Sequence, residues 1–326
     1  MKRLLPGSAR SFQSLGALLL MVLALSFATP KFLTVVNELN ILRQISVNLC
    51  LSIGLTLVIL AGGIDLSVGA VLALAGAVAA GLLKSAISIP ELGVELQFTV
   101  SGAVLSGVLV GAIAGLANAV VVTWLLLPPF VATLAMLSIA RGLAYLWTGG
   151  LPITGLDPAF DALGSGFVLG LPVPVWIVAI LTILATWLTT QTPFGRHLYA
   201  VGGSERAAYL TGLSVRKIKV SVYVLAGALS ALAGVLVTAR LDSAQPNAGL
   251  GYELDGIAAV VIGGTSLSGG QGSVWGTVLG CLIIGVLNNG LALLDVSPFW
   301  QQVIKGVVII LAVVLDRWGA RQERLT

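Results

Sequence analysis

Long apolar runs alternate with short polar connections along the whole chain. Most runs have the length that an α-helix needs to cross the hydrocarbon core of a bilayer. They lie at about 15–29, 45–61, 66–83, 97–124, 129–147, 174–190, 220–238, 254–263, 273–294 and 298–315. The pattern predicts an all-α polytopic membrane protein with about ten transmembrane helices, forming a single domain over residues 1–326. Segment 254–263 is short, and a re-entrant course is left open there.

The composition agrees with this interpretation. The chain is 57% hydrophobic and 9% charged, whereas a soluble domain carries about 25% charged residues. Small residues repeat every four positions, as in 107–115 and 276–280, and such repeats let helices pack closely in lipid. The cysteines at 50 and 281 fall in apolar runs and are interpreted as small hydrophobic residues. His197, the single histidine, has no ligand-type neighbour, which argues against a metal site.

Basic residues predict the orientation in the membrane. Eleven of the 17 lysines and arginines lie at the two termini and in the loop 191–219, separated by even numbers of spans. They are Lys2, Arg3, Arg10, Arg196, Arg206, Arg216, Lys217, Lys219, Arg317, Arg321 and Arg324. Because cytoplasmic loops are enriched in Lys and Arg, the N-terminus, the C-terminus and this loop are predicted to be cytoplasmic. The Gly- and Pro-rich segment 148–173 becomes the longest external loop.

The first apolar segment has an alternative interpretation as a cleaved signal peptide, since it ends in the small-x-small sequence Ser26-Phe27-Ala28. Its removal would leave an odd number of spans and spoil the agreement of the charges. We therefore expect this segment to be retained as the first helix.

An eight-residue sequence occurs twice. Residues 62–69 read GGIDLSVG and residues 263–270 read GGTSLSGG, with five identical positions. Glycine pairs break helices, and a helix broken at membrane depth must be buried in protein or line a wet cavity. Paired interruptions of this kind indicate a transport pathway. The leading glycines Gly62, Gly63, Gly263 and Gly264 are therefore predicted to lie at that pathway. By the span count both copies run in the same direction, and a re-entrant 254–263 would invert that relation.

Asp65 places a carboxylate within the first copy. A charge at mid-bilayer costs about 2.5–3.5 kcal/mol on insertion scales. One interpretation puts Asp65 and Ser67 on the pathway. The other makes Asp65 a cap for the N–H groups of residues 67 and 68. The cap is favoured because the second copy has Ser266, a neutral capping residue, at the matching position.

Other polar residues fall inside apolar segments. Asn118, Asn288 and Asn289 are candidates for binding solute hydroxyl groups, but hydrogen bonds between helices are the favoured interpretation. Arg141 and Lys305 are interpreted as lying near span ends, where long side chains extend to the interface.

The loop 191–219 contains the pattern of a short capped helix. Ser204 is a typical N-cap residue, Ala207, Ala208 and Leu210 follow it, and Gly212 is a typical end. A short amphipathic helix on this face is suited to a groove in a soluble partner. A structured loop without a partner explains the pattern equally well.

Residues 267–271 spell LSGGQ, the signature peptide of ABC ATPases. That peptide acts within a soluble nucleotide-binding domain that also carries a phosphate-binding loop. The chain has neither the loop sequence nor a soluble stretch of sufficient length, so ATPase activity is rejected.

Taken together, several strings resemble the membrane permease of bacterial ABC importers for monosaccharides, the ribose permease family. The strings are TLVILAGGIDLSVG at 56–69, ARLDSAQP at 239–246, GYELD at 251–255, GGTSL at 263–267 and LNNG at 287–290. The resemblance covers roughly residues 30–318.

This resemblance implies a bacterial inner-membrane protein that works as a homodimer or pseudo-dimer. It implies two further partners, a cytoplasmic ABC ATPase and a periplasmic sugar-binding protein. The chain itself would hold no cofactor, because ATP and Mg²⁺ would bind to the ATPase. It would import a ribose-like pentose or hexose by ATP-driven alternating access and catalyse no covalent step.

The resemblance also implies residue roles. The ATPase-coupling residues would be Gly203, Glu205, Ala207, Ala208 and Gly212. Arg206 stands where the family has Ala, so the register there departs from the pattern. On the opposite face, Arg43 and Arg240 are the candidates for docking the binding protein.

Two other classes of protein compete with an importer. An ion-coupled secondary transporter also favours broken helices, but it should carry paired intramembrane acids, and Asp65 stands nearly alone. A membrane-embedded enzyme needs a cluster of nucleophile, base or metal ligands, and the sequence shows none. The sequence does not identify the sugar.

Overall fold

The computed structural model describes residues 7–85, 87–89 and 94–323 as a bundle of α-helices with a few very short strands. Three basic residues used to predict orientation, Lys2, Arg3 and Arg324, lie outside these residues. The helices are α1 (Gly7–Ala28), α2 (Val35–Leu60), α3 (Val68–Lys84), α4 (Val100–Thr123), α5 (Pro129–Thr148), α6 (Pro158–Ser165), α7 (Val173–Gln191), α8 (Pro193–Gly203), α9 (Glu205–Leu210), α10 (Val215–Leu241), α11 (Tyr252–Ile262), α12 (Val274–Leu293) and α13 (Pro298–Glu323). The strands are β1 (Ile87–Ile89), β2 (Val94–Leu96), β3 (Ile153–Thr154), β4 (Phe167–Val168), β5 (Leu171–Pro172) and β6 (Ser243–Ala244).

Within these residues, six helices are long and apolar enough to cross a membrane: α2, α4, α5, α7, α10 and α12. Residues 14–28 and α3 form shorter apolar helices. The chain is therefore a mainly helical, polytopic membrane protein, as predicted. Each of the ten predicted segments coincides with a helix, and six of these helices have the length and apolarity of a full span over the residues that the structure describes.

The central helix is α2. Residues 45–60 are buried on every face, because α7, α10, α11 and α12 surround them. The outer helices α4, α5 and α7 bury one side and expose Leu, Ile and Trp on the other. Apolar side chains on the outside of a bundle suit a hydrocarbon environment.

Small residues bring the helices into backbone contact. A Cβ atom added to Gly115 of α4 would lie 2.1 Å from the carbonyl oxygen of Tyr223 in α10. A Cβ atom on Gly280 of α12 would lie 1.8 Å from the carbonyl oxygen of Ala259 in α11. The small-residue repeats predicted to pack helices do so at both positions.

The loop between α5 and α7 covers one end of the bundle. Strand β3 pairs with β6, next to the end of α10. The side chain of Asp242 accepts a hydrogen bond from the N–H of Leu156 (2.7 Å), and Lys84 at the end of α3 donates to the carbonyl of Thr154. Helix α6 packs against α10. This end corresponds to the predicted external face.

The opposite end contains α8, α9 and both Gly-Gly segments. A Cβ atom on Gly269 would lie 2.9 Å from Cα of Gly62. At the far end, Asn37 near the start of α2 bonds Asn289 near the end of α12. Hence α2 and α11 both end on the α8 side, and the two copies run in the same direction.

Candidate functional site

The first Gly-Gly segment ends α2 with a Schellman motif. Gly62 has a positive φ of 78°. Its N–H donates to the carbonyl of Ile59 (2.9 Å), and the N–H of Gly63 donates to the carbonyl of Val58 (2.9 Å). This bonding satisfies carbonyl groups that a helix end leaves free.

The second segment ends α11 in the same way, but with a different glycine. Gly264 has a φ of 87° and donates to the carbonyl of Val261 (2.9 Å), while Thr265 donates to Val260 (3.1 Å). The left-handed residue is thus the first glycine of one pair and the second glycine of the other. The sequence repeat and the structural repeat are one residue out of register.

The other glycine of each pair is needed for close packing. A Cβ atom on Gly63 would lie 2.7 Å from the hydroxyl oxygen of Tyr223. A Cβ atom on Gly263 would lie 2.2 Å from the carbonyl oxygen of Gly276. Each pair therefore contains one glycine that supplies the left-handed conformation, Gly62 or Gly264, and one that allows close packing, Gly63 or Gly263.

Asp65 is buried, with 1% of its surface exposed. Its Oδ1 atom accepts hydrogen bonds from the N–H (2.8 Å) and the hydroxyl (2.6 Å) of Ser67. Asn118 of α4 donates to the same hydroxyl oxygen (3.0 Å), and Thr133 of α5 donates to the carbonyl of Ile64 (3.3 Å). The carboxylate thus holds the segment between α2 and α3. Of the two N–H groups named by the capping interpretation, it accepts from that of residue 67, and the N-cap of α3 is Ser67 itself.

Ser266 does not match Asp65 in this respect. Its N–H donates to the carbonyl of Gln271 (2.9 Å), and its hydroxyl accepts from the N–H of Ser268 (3.3 Å). Helix α12 is capped instead by Ser273, which accepts from the N–H of Gly276 (3.0 Å). The prediction that Ser266 caps the following helix is wrong, because the turn continues for several more residues.

Two short helices meet inside the bundle. At 1.5 Å per residue, α3 is about 26 Å long and α11 about 16 Å, against a hydrocarbon core of about 30 Å. Their N-termini adjoin, since a Cβ atom on Gly69 would lie 2.3 Å from the carbonyl oxygen of Gly249 and 2.4 Å from a carboxylate oxygen of Glu253. Discontinuous helices of this kind occur at the binding sites of transporters.

Arg141 and Glu253 add charge at this meeting point. Arg141 is twelve residues from the start of α5, about 18 Å along it, and its Nη1 donates to the carbonyls of Pro246 and Ala248 (both 2.7 Å). Both Arg141 and Glu253 are half-buried. The prediction that Arg141 lies near a span end is therefore wrong. Ionisable residues at such a depth face the protein interior or water and mark pathways.

Asp255 and Lys305 form a second charged group. Lys305 of α13 lies 2.9 Å from Oδ2 of Asp255 in α11, and Asn288 of α12 donates to the same oxygen (3.4 Å). Asp255 is 6% exposed. The prediction that Lys305 extends to the interface is wrong, because it pairs inside the bundle. Sequence reasoning missed Asp255, although an acid and a base within two apolar segments were a signal for such a pair.

The three asparagines join elements of the bundle, in agreement with the favoured interpretation. Asn289 exchanges two amide bonds with Asn37 of α2, at 2.8 and 3.0 Å. Asn288 bonds Asp255, and Asn118 bonds Ser67. Asn288 still has a buried carbonyl oxygen without a hydrogen-bond partner.

The loop 191–219 contains the predicted capped helix as α9. Ser204 accepts from the N–H of Ala207 (3.2 Å), Ala208 is buried, and Gly212 follows the helix with a φ of 83°. Glu205 pairs with Lys219 (2.7 Å). The last two residues of α9 are large, apolar and exposed: Tyr209 is 72% exposed and Leu210 is 76% exposed.

Gly203 and Tyr199, one helical turn before it, belong to α8. A Cβ atom on Gly203 would have open space around it. Tyr199 donates its hydroxyl to the carbonyl of Gly272 (2.9 Å). Burial raises the pKa of Tyr199, so the hydroxyl keeps the proton that it donates.

Arg43 and Arg240 lie at the other end of the bundle, beside α6. Arg43 donates to the carbonyl of Ser165 (3.4 Å), and its guanidinium carbon is 4.6 Å from the centre of the Phe167 ring. Gly164 packs against the backbone N of Arg240. Both arginines thus adjoin the segment 164–167, and their role in docking a partner stays a prediction.

Paired partial-span helices, buried glycine turns and charged groups inside an apolar bundle define a membrane transport protein. Residues 37–313 match the family described as branched-chain amino acid transport system / permease component. The chain belongs to this family of permease components.

Several characterised relatives cover nearly the whole chain. It is 50% identical to the ribose import permease protein of Bacillus subtilis, over 94% of this chain and 93% of the relative. It is 49% identical to the ribose import permease protein of Haemophilus influenzae, over the same shares. The D-allose transport system permease protein of Escherichia coli is 40% identical, over 90% of this chain and 86% of that protein. These relatives confirm the resemblance to ribose permeases. No solved structure matches the chain.

Proposed function

We propose that this chain is the membrane permease of an ABC importer that moves a ribose-like monosaccharide from the periplasm to the cytoplasm. The single observation that carries the proposal is 49–50% identity to two ribose import permeases over 94% of the chain. The family description names branched-chain amino acids, but the similarity to an allose permease again favours a sugar.

The proposed energy source is a partner ATPase that binds ATP and Mg²⁺. Helix α9 suits its docking, because Tyr209 and Leu210 are exposed on the face predicted to be cytoplasmic. The chain is proposed to cross the membrane ten times, with both termini in the cytoplasm. The proposed assembly also contains a second copy of the permease and a periplasmic sugar-binding protein.

The proposed pathway passes the meeting point of α3 and α11. Half-buried charges at this depth are costly against lipid, so Arg141 and Glu253 face water or another protein surface. Leu250 and Leu254, beside Glu253, are 65% and 52% exposed. A second copy placed against this surface would enclose a wet passage in which charged groups bind sugar hydroxyls.

The alternative of an ion-coupled transporter has no support from the comparisons. The structure adds two intramembrane acids that the sequence did not single out: Glu253 lies near Arg141, and Asp255 is paired with Lys305. Asp65 is occupied by the N–H and the hydroxyl of Ser67. Neither Asp255 nor Asp65 is free to bind a coupling ion without losing these bonds.

Uptake by cells tests the class of substrate. The chain is expressed with its ATPase and binding protein in bacteria that lack their own ribose, allose and leucine transporters. We expect uptake of labelled ribose or allose that excess unlabelled sugar abolishes and excess leucine does not. Leucine uptake without sugar uptake would contradict the proposal. Glu253→Gln, which keeps the shape and removes the charge, tests the pathway in the same cells.

A further inference from the structure

The end of α8 touches the backbone at the first Gly-Gly turn and in the segment 263–272, which begins with the second turn. A Cβ atom on Gly202 would lie 1.8 Å from the carbonyl oxygen of Leu60, at the end of α2. The same atom would lie 2.6 Å from the backbone N of Gly270, in the second copy. Only a glycine allows the three backbones to approach this closely.

The second copy closes the contact from its own side. A Cβ atom on Gly269 would lie 2.9 Å from the carbonyl oxygen of Gly202 and 2.9 Å from Cα of Gly62. The N–H of Gly270 donates to the carbonyl of Leu60 (3.0 Å). We call the contact of residues 60–62, 202–203 and 269–270 the glycine junction.

The junction is connected to α9 by a single residue. Ser204 ends α8, with its N–H bonded to the carbonyl of Ala200 (3.2 Å), and starts α9 by accepting from the N–H of Ala207 (3.2 Å). Tyr199 of α8 also bonds the carbonyl of Gly272. A displacement of α9 therefore moves residues 202–203 against both turns.

We propose that Gly202, Gly269 and Gly270 are positioning residues that transmit the movement of α9 to both Gly-Gly turns at once. The proposal rests on the proposed function, in which a partner ATPase moves α9. Backbone contacts have no side chain that can change rotamer, and close-packed interiors transmit strain. In this proposal the end of α2 and the segment 263–272 that follows α11 respond together.

The test uses the complete complex of permease, ATPase and binding protein in liposomes. Gly202→Ala places a methyl group against two backbones, while Gly16→Ala in α1 has open space and serves as the matched control. Overpacking forces side chains and backbone in a close-packed site to shift. We expect Gly202→Ala to retain assembly and basal ATP hydrolysis, but to lose sugar uptake and stimulation by the loaded binding protein by about tenfold.

Equal sugar uptake and equal stimulation of ATP hydrolysis in Gly202→Ala and Gly16→Ala would contradict the role proposed for the glycine junction. If Gly202→Ala does not reach the membrane, Tyr199→Phe tests the same link between α8 and the second segment. This variant removes the hydrogen bond to the carbonyl of Gly272 and adds no atoms. We expect it to raise the ATP hydrolysed per sugar imported by about twofold, because the loss of a single hydrogen bond weakens the link between α8 and the second segment. An unchanged ratio overturns the proposal. An unmodified complex that no loaded sugar-binding protein stimulates would instead contradict the proposed function.

Discussion

The two Gly-Gly turns share a backbone motif and differ in their surroundings. In the first turn the polar residues are buried, with Asp65 and Ser67 each 1% exposed, although Gly62 itself lies at the surface. The second turn reaches the surface, where Ser268 and Gln271 are exposed. The repeat in the sequence therefore encodes how a helix ends, and the neighbouring helices decide what each turn contacts.

The buried carboxylates of the two segments, Asp65 after α2 and Asp255 within α11, also differ in their partners. Asp65 is held by local N–H and hydroxyl groups of Ser67. Asp255 of α11 is held by Lys305, which lies fifty residues away on another helix. A local partner acts within one turn, whereas a distant partner joins two helices. Substitutions should therefore affect the two regions to different extents.

The largest effect is expected at the pair of Asp255 and Lys305. Lys305→Met leaves a buried carboxylate without its cation, which costs about 3–5 kcal/mol. Thermal unfolding of the purified permease in detergent measures the loss. The double variant Asp255→Asn, Lys305→Met removes both charges and should recover most of the stability. An equally large loss in the double variant would show that the charges do not act as a pair.

A smaller effect is expected when a methyl group is added at the first turn. Gly63→Ala places Cβ 2.7 Å from the hydroxyl oxygen of Tyr223, and overpacking costs about 1–3 kcal/mol. That hydroxyl is buried and has no hydrogen-bond partner. Tyr223→Phe should therefore be well tolerated alone and should rescue Gly63→Ala, as read from the unfolding temperature.

Gly62→Ala is the matched comparison at the same turn. Its Cβ would have open space, but its φ is positive, and the left-handed conformation costs an L-residue about 1–2 kcal/mol. Tyr223→Phe should not rescue this variant. Rescue of both glycine variants, or of neither, would refute the separate roles assigned to the two glycines.

The effects at the polar residues should differ between the two turns, and the smallest of all is expected at Ser266. Asp65→Asn keeps an acceptor oxygen for Ser67 and should have nearly normal stability and uptake. Asp65→Ala leaves buried donors unsatisfied, at about 1–3 kcal/mol. Ser266→Ala at the aligned position loses one partly exposed bond and should change stability by less than about 0.5 kcal/mol. Equal losses in Asp65→Ala and Ser266→Ala would contradict the difference between the turns.

Features that depend on local sequence were predictable. Each of the ten apolar runs coincides with a helix. Ser204 and Gly212 located the ends of α9, because capping involves only neighbouring residues. The repeats of small residues indicated the close contacts of α4 with α10 and of α11 with α12.

Features that depend on distant neighbours were not. Either glycine of a pair accepts a positive φ, so the register between the two turns is decided by Tyr223 and Gly276 from other helices. The segment 129–147 already put Arg141 twelve residues from its start, but the carbonyls of the loop 246–248 that bind it come from a distant part of the chain. The glycine junction joins three segments far apart in the sequence, and no local pattern indicates which glycines meet.

Sugar accumulation in proteoliposomes tests whether import depends on ATP and a partner ATPase. The permease is reconstituted with its ATPase, and ATP is sealed on the ATPase side while the binding protein and labelled ribose are added on the other. We expect ribose to accumulate only when both ATP and the ATPase are present, and not with the permease alone. Accumulation by the permease alone, driven by an ion gradient, would contradict the proposed function.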